Sequence, residues 1–113
     1  CLRYFEVEWP PWINTDHLDL TAEIIEASAQ EFSRQFPAGR FYVLLFPGDV
    51  RYSENSLSAR TLIPFLEARG IPYVDYSDAF PMDSAQYAIP GDGHPTPAAY
   101  REIARRIAGD LLQ

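Results

Sequence analysis

The stretch FYVLLF, residues 41–46, is a continuous run of apolar residues that is rich in aromatic side chains. A strand with one solvent-exposed face alternates apolar and polar residues. A run without alternation predicts a strand that is covered on both faces, as in a parallel sheet. Pro47, Gly48 and Asp49 follow the run directly and predict a turn at its carboxyl end. The stretch therefore predicts an α/β domain with this strand in its interior.

The segment before this strand predicts a long helix. Residues 14–16 (Asn, Thr and Asp) can cap its start, and residues 37–39 (Pro, Ala and Gly) end it. Its apolar residues recur at spacings of 3 and 4, which place them on one face of a helix: Leu18, Ala22, Ile25, Ala29, Phe32 and Phe36. Further upstream, residues 5–9 alternate apolar and acidic side chains, which predicts an additional strand that the next two prolines terminate.

The segment after the turn predicts another helix and another strand. A helical stretch near residues 56–69 closes at Gly70. Pro64 lies either in the first turn of this helix, if the helix begins close to Leu62, or at a kink. Residues 71–76 predict a short buried strand, and the following residues to Gly93 form an irregular loop with several prolines and glycines.

The last helix has the clearest signals. Thr96 can act as its N-cap, with Pro97 at the first helical position. The charged residues between positions 101 and 106 predict its solvent-exposed face. The apolar residues are expected to share the opposite face: Tyr100, Ile103, Ala104, Ile107, Ala108 and Leu111.

The order of these elements is strand, helix, strand, helix, strand, helix. Their connections are short enough for right-handed crossovers between parallel strands. We therefore expect a doubly wound α/β fold with three layers (αβα) and a mostly parallel sheet. No repeat or linker divides the chain, so residues 1–113 are expected to form a single domain.

The charge balance limits the possible partners. The chain has 16 acidic and 9 basic residues and a net charge of −7, which argues against nucleic acid as a partner. Arg101, Arg105 and Arg106 lie beside Glu102, an arrangement typical of a solvated helix face with local ion pairs and not of a phosphate site. The longest apolar run is far shorter than the roughly 20 residues that span a bilayer, so no membrane span is expected.

A loop that can carry acid/base chemistry precedes the last helix. Its sequence is IPGDGHP, residues 89–95, and it follows the last predicted strand, where active-site residues collect in open α/β sheets. A carboxylate two residues from a histidine can accept the Nδ1–H and stabilise the imidazolium that forms when Nε2 takes a proton. Asp92 and His94 are therefore candidate catalytic residues. They supply two thirds of a nucleophilic triad, whose Ser or Cys must come from elsewhere.

The block DGHPTPAAY, residues 92–100, resembles the last conserved block of the SGNH (GDSL-like) esterases and their O-acyltransferase relatives. In that family the Asp and His of the triad lie just ahead of the C-terminal helix, which residues 101–112 resemble, and residues 71–75 resemble the final strand. The single residue between Asp92 and His94 is closer to the alginate and peptidoglycan O-acetyltransferase branch, and Thr96 stands where Asn is usual. The resemblance implies a flavodoxin-like sheet.

The resemblance also implies a nucleophile that these residues do not provide. The family's Gly-Asp-Ser-like turn after the first strand has no counterpart here, and neither do the Gly and Asn of its oxyanion hole. We expect those groups to precede Cys1, so that the chain is the C-terminal portion of an SGNH domain, incomplete and inactive alone. Cys1 fits the lipid-bearing first residue of a mature bacterial lipoprotein and a fragment boundary equally well, and we favour the fragment boundary. An incomplete sheet predicts self-association through an exposed edge.

Two functions follow from these residues. The first is a serine esterase or O-acyltransferase, acting on an acyl ester of a carbohydrate or lipid in the full-length protein, without a cofactor or metal. In it, Asp92 orients His94 and His94 activates the serine. The alternative is a non-catalytic α/β module for binding or assembly, in which the Asp-Gly-His segment is only a turn.

Other residues have a structural interpretation that we favour. His17 could bind a metal together with Asp92 and His94, but its position after Asn, Thr and Asp is better explained by helix capping. Asp75 and Asp78 could line a pocket but are expected to accept hydrogen bonds from loop amides. Four aromatic residues are expected in the core or at its rim: Trp9, Trp12, Tyr73 and Phe80.

Overall fold

Helices and strands alternate along the part of the chain that the computed structural model describes, residues 14–48 and 59–112. The elements are α1 (Thr15–Gln35), β1 (Val43–Leu45), a short 3-10 helix (Ala59–Leu62), α2 (Ile63–Ala68), β2 (Tyr73–Asp75) and α3 (Pro97–Leu111). The strand predicted at residues 5–9 and the first residues of the helix predicted near 56 lie outside the described residues.

The strands β1 and β2 pair in parallel, with Val43 opposite Tyr73 and Leu45 opposite Asp75. Both are shorter than the apolar runs that predicted them, but hydrogen bonds continue the pairing at each end, because Val43 N donates to the carbonyl of Pro72 and Tyr76 N to that of Leu45. Among the described residues each strand has one sheet neighbour. Self-association through a sheet edge stays a prediction.

Side chains of the two strands alternate between two hydrophobic clusters. The first, called the α1 cluster, has Ala22, Leu45, Leu66 and Ile71 as its buried residues and is covered by α1 and α2. The second, called the α3 cluster, is covered by α3 and has these buried residues: Tyr76, Phe80, Met82, Ala88, Ala99 and Ile103. Residues 43 and 45 pack against the first cluster and residues 44 and 46 against the second. Residues 43–46 are therefore covered on both faces, as predicted, whereas Tyr42 of the same run is exposed.

This arrangement is a small mixed α/β domain with three α-helices and a two-stranded parallel sheet over the described residues. The α/β class predicted from the sequence is thus confirmed at this level. A complete three-layer fold with a larger, doubly wound sheet stays a prediction. None of the helices in residues 14–48 and 59–112 is both long and apolar enough to cross a membrane.

The ends of α1 and α2 follow the local sequence signals. Asn14 is the N-cap of α1, and its side chain accepts hydrogen bonds from the backbone N–H groups of Asp16 and His17. Pro64 lies in the first turn of α2, which settles the choice between a start near Leu62 and a kink. Gly70 follows α2 with a φ of +64°, the conformation expected after a helix end.

The helix α3 begins as predicted, but one edge of its apolar face differs. Ala99 and Ile103 are buried and Ile107 packs beside them. Tyr100, by contrast, is 58% exposed. Ala104 and Ala108 are exposed as well, so the predicted stripe is wrong at these three positions. The physical reason is that the buried line of α3 runs through Ala99, Ile103 and Ile107, and positions 100, 104 and 108 each lie one residue, or about 100° of helix rotation, away from that line.

Candidate acid/base site

A tight turn presents Asp92 on the loop between β2 and α3. The amide of Asp92 donates to the carbonyl of Ile89 over 3.2 Å, with Pro90 second and Gly91 third in the turn. Gly91 has a φ of +80°, which together with Pro90 identifies a type II β-turn. A side chain at this φ is strained, so the glycine is what allows the chain to reverse just before Asp92.

A second reversal brings His94 back beside Asp92. Gly93 also has a φ of +80°, and its amide donates to the same Ile89 carbonyl over 2.9 Å. The amide of Ile89 in turn donates to the carbonyl of His94 over 2.9 Å, and Ala88 forms an antiparallel bridge with Pro95. The backbone on both sides of the Asp-Gly-His segment is therefore fixed by hydrogen bonds.

The side chains of Asp92 and His94 are in contact, with Oδ1 of Asp92 2.5 Å from Nδ1 of His94. An ionised carboxylate can only accept hydrogen bonds, so Nδ1 carries the proton and Nε2 of the neutral ring is left as the acceptor. Within the described residues, Nε2 of His94 has no hydrogen-bond partner. The His94 side chain is 76% exposed and that of Asp92 51%. The two side chains are thus in contact on a largely exposed ring.

A groove of about 320 Å³ lies beside this loop. Its wall is formed by two segments of the connection between β2 and α3: residues 82–85 and 88–91 together with Gly93. The glycines on either side of Asp92 belong to this wall, whereas the side chains of Asp92 and His94 do not line it. The groove therefore lies next to the pair without containing it.

No serine in residues 14–48 and 59–112 is hydrogen-bonded to His94. Ser84 lines the groove, but its Oγ accepts from the amide of Gln86 over 3.3 Å, which is a local turn contact. Ser28 Oγ donates to the carbonyl of Ile24, and Ser77 Oγ to Asp75. Three further serines, at positions 53, 56 and 58, lie outside the described residues. That the nucleophile comes from outside this chain stays a prediction.

Two acidic residues, Asp75 at the end of β2 and Asp78 after it, bind the same arginine, and Asp75 also accepts hydrogen bonds in a turn. Asp75 Oδ1 accepts from the amide of Ser77 over 3.0 Å and from its hydroxyl, which confirms the loop-amide interpretation for this residue. The Ser77 hydroxyl and the Arg60 guanidinium hold the pKa of Asp75 below its usual value. Arg60 bridges Asp75 and Asp78, at 2.8 and 2.9 Å. The sequence carried no signal for this bridge, because Arg60 lies 15 residues before Asp75.

His17 caps a helix, as the sequence favoured. Its Nδ1 accepts a hydrogen bond from the backbone amide of Asn14 over 3.2 Å, which completes a reciprocal capping box. His17, Asp92 and His94 are not brought together as a metal site, and no group of three His, Cys, Asp or Glu side chains suited to a metal occurs in the part of the chain that the structure describes.

The charged face of α3 forms local ion pairs, as predicted. Glu102 accepts from Arg105 and from Arg106, and these two bonds lower the pKa of Glu102 to about 2. Arg106 also donates to the carbonyl of Ala79 over 3.2 Å, so it ties the helix to the loop after β2.

The predicted roles of the aromatic residues are confirmed where the structure describes them. Phe80 is buried in the α3 cluster and stacks on Tyr87 with ring centroids 4.8 Å apart. Tyr73 lies at the rim of the α1 cluster, and its hydroxyl donates to Glu67. Trp9 and Trp12 lie outside the described residues.

One residue of the loop has a role that the sequence revealed only in part. Thr96 was expected as the N-cap of α3, and its Oγ1 does accept from the amide of Ala99 over 3.3 Å. The same hydroxyl donates to the carbonyl of Gln86, ten residues earlier, over 2.5 Å. This second bond joins two residues that no local sequence pattern relates.

No family model, curated protein sequence or solved structure matches this chain.

Proposed function

We propose that Asp92 and His94 are the acid/base pair of a serine esterase or O-acyltransferase of the SGNH type. The substrate is an acyl ester of a carbohydrate or lipid, and the serine and the oxyanion donors come from residues outside this chain. The observation that carries the proposal is the contact between Asp92 Oδ1 and His94 Nδ1 on a loop whose backbone is hydrogen-bonded on both sides.

In the proposed reaction, Nε2 of His94 accepts the proton of the serine hydroxyl while the serine oxygen attacks the ester carbonyl carbon. The imidazolium then returns that proton to the alkoxide leaving group as the ester C–O bond breaks. A water molecule or an acceptor alcohol then attacks the acyl-serine while His94 takes its proton. His94 returns this proton to the serine oxygen as the acyl–serine bond breaks, so the acyl group leaves as a free acid or as a new ester. Asp92 stabilises the imidazolium throughout and keeps the proton on Nδ1, so that Nε2 faces the reacting hydroxyl.

The exposure of His94 fits this role. A buried histidine whose two ring nitrogens are both occupied has no atom left for a substrate or a nucleophile. Here Nδ1 is taken by Asp92, and Nε2 is accessible over a largely exposed ring. In the proposed function, Nε2 is therefore the atom that meets the serine.

The proposal is tested by ester turnover in the full-length protein that contains this chain, with p-nitrophenyl acetate and an acetylated sugar as substrates. We expect His94→Ala to lower kcat by roughly 10²- to 10⁴-fold, the contribution of a general base. The matched control is His17→Ala, which removes the other histidine and leaves turnover within a few-fold of the parent. Circular dichroism of both variants checks that they are folded.

Equal turnover in His94→Ala and the parent would exclude the catalytic role of this loop. A full-length protein that has no Gly-Asp-Ser-like turn after a strand and no ester turnover would favour the non-catalytic binding or assembly module.

A further inference from the structure

The hydroxyl of Thr96 joins two parts of the molecule. It accepts from the amide of Ala99 in the first turn of α3, and it donates to the carbonyl of Gln86 on the far side of the loop. The backbone amide of Thr96 also donates to the carbonyl of Tyr87 over 2.9 Å. Thr96 therefore anchors the end of the loop to both the helix and the turn at residues 84–88.

His94 lies two residues before this anchor, with only Pro95 between them. Proline has a fixed φ, so the position of the His94 backbone follows the position of Thr96 closely. The contact between Asp92 and His94 is largely exposed, and exposed pairs of this kind hold two side chains together only weakly. The orientation of the imidazole therefore depends on the backbone of the loop as well as on the pair itself.

We propose that Thr96 is a positioning residue, whose bond to the Gln86 carbonyl keeps the His94 ring in register with Asp92. The proposal rests on the proposed function for its effect on turnover, but its effect on the ring does not depend on catalysis. Thr96 itself contacts no reacting atom in this role.

Three substitutions separate the two bonds of the hydroxyl. Thr96→Ser keeps both the cap and the donor. Thr96→Asp keeps a good N-cap, but its carboxylate cannot donate to the Gln86 carbonyl. Thr96→Val loses both bonds and adds no charge, so agreement between Val and Asp excludes an effect of the new carboxylate. The control Thr21→Val removes a hydroxyl of α1 that donates to the carbonyl of His17, away from the loop.

The first readout is the tautomer of neutral His94, taken from the ¹⁵N shifts of its ring in the full-length protein and assigned with the help of His94→Ala. We expect the parent and the Ser variant to hold the proton on Nδ1, and the Asp and Val variants to shift towards the Nε2–H form. The second readout is ester turnover, for which we expect Asp and Val to lower kcat by roughly 10- to 100-fold with little change in KM. The Thr21→Val control should resemble the parent in both.

If Thr96→Asp matches the parent in tautomer and in kcat, Thr96 is only a helix cap and the inference is overturned. If the Asp and Val variants change the tautomer while the parent itself shows no ester turnover, the positioning role stands and the proposed function fails. The two outcomes are therefore distinguishable in one set of variants.

Discussion

The chain has two histidines, His17 and His94, and both make a hydrogen bond through Nδ1. Nδ1 is the acceptor in one of these bonds and the donor in the other. Nδ1 of His17 accepts a hydrogen bond from a backbone amide, whereas Nδ1 of His94 faces a carboxylate and must donate. Neutral His17 therefore carries its proton on Nε2, and neutral His94 carries it on Nδ1. The type of partner, and not the residue itself, decides which ring nitrogen is free to accept a proton.

Both histidines have an aspartate nearby in the sequence, yet only one of them uses it. Asp16 precedes His17 directly, and neighbouring residues of a helix do not face each other. Asp92 and His94 are separated by Gly93, and the two positive-φ glycines of the loop fold their side chains together. The same two residue types thus stay apart in a helix and come into contact in a loop with two positive-φ glycines.

The largest expected effect comes from removing the charge that sets the tautomer of His94. We expect Asp92→Asn to lower kcat for ester turnover in the full-length protein by about 10³- to 10⁴-fold, because an amide can donate to Nδ1 and favour the wrong tautomer. The control is Asp16→Asn, which makes the same chemical change beside the other histidine and should leave turnover unchanged.

Ring ¹⁵N shifts of the same two variants test the comparison directly. Asp92→Asn should move the proton of neutral His94 towards Nε2, and Asp16→Asn should leave both histidines as they are. If Asp16→Asn changed the tautomer of His17, the capping box would not be the contact that holds that ring.

The second prediction concerns the loop backbone on which the pair is built. Gly91→Ala should destabilise the protein by about 1–2 kcal/mol, the cost of a left-handed conformation for a residue with a Cβ. An added Cβ at Gly91 meets no atom within 4 Å, so the cost comes from the φ of +80° and not from a clash. Urea unfolding measures the change.

Gly109 provides a control with the opposite sign. It lies in α3, where an added Cβ also meets no atom within 4 Å and no positive φ is required. Gly109→Ala should therefore stabilise the protein by roughly 0.5–1 kcal/mol, the gain from replacing a helical glycine. Destabilisation of similar size in both variants would show that the positive φ of Gly91 is not what the loop depends on.

The features that the sequence predicted best depend on interactions between residues that are close together in the chain. The caps Asn14 and Thr96, and Pro64 in a first turn, depend on a few adjacent positions. The contact of Asp92 with His94 belongs to the same class, because one glycine separates them and the flanking glycines signal the turns. These features could be predicted without knowledge of the tertiary structure.

The features that the sequence did not predict depend on residues far apart in the chain. The exposure of Tyr100 follows from which line of α3 packs against the rest of the domain, and that line runs through Ala99 and Ile103. The bridge from Arg60 to Asp75 and the bond from Thr96 to Gln86 each require a particular placement of two segments. No periodicity or local motif records such distances, which is why the cap at Thr96 was predicted and its positioning role was not.

The smallest expected effect concerns the ring nitrogen of His17 that takes part in the cap. His17→Phe keeps an aromatic ring but has no Nδ1 to accept from the Asn14 amide. We expect the first turn of α1 to lose roughly 0.5 kcal/mol, the low end for a cap hydrogen bond exposed to water. Urea unfolding measures the change.

His17→Gln is the matched control, because the side-chain oxygen of glutamine at this position can still accept from the N-cap amide. It should match the parent in stability. The contact between Asp92 and His94 should persist in both variants, since the amides of Ile89 and Gly93 that fix the loop donate to carbonyl oxygens of the loop itself. Equal destabilisation by His17→Phe and His17→Gln would contradict the acceptor role assigned to Nδ1 of His17.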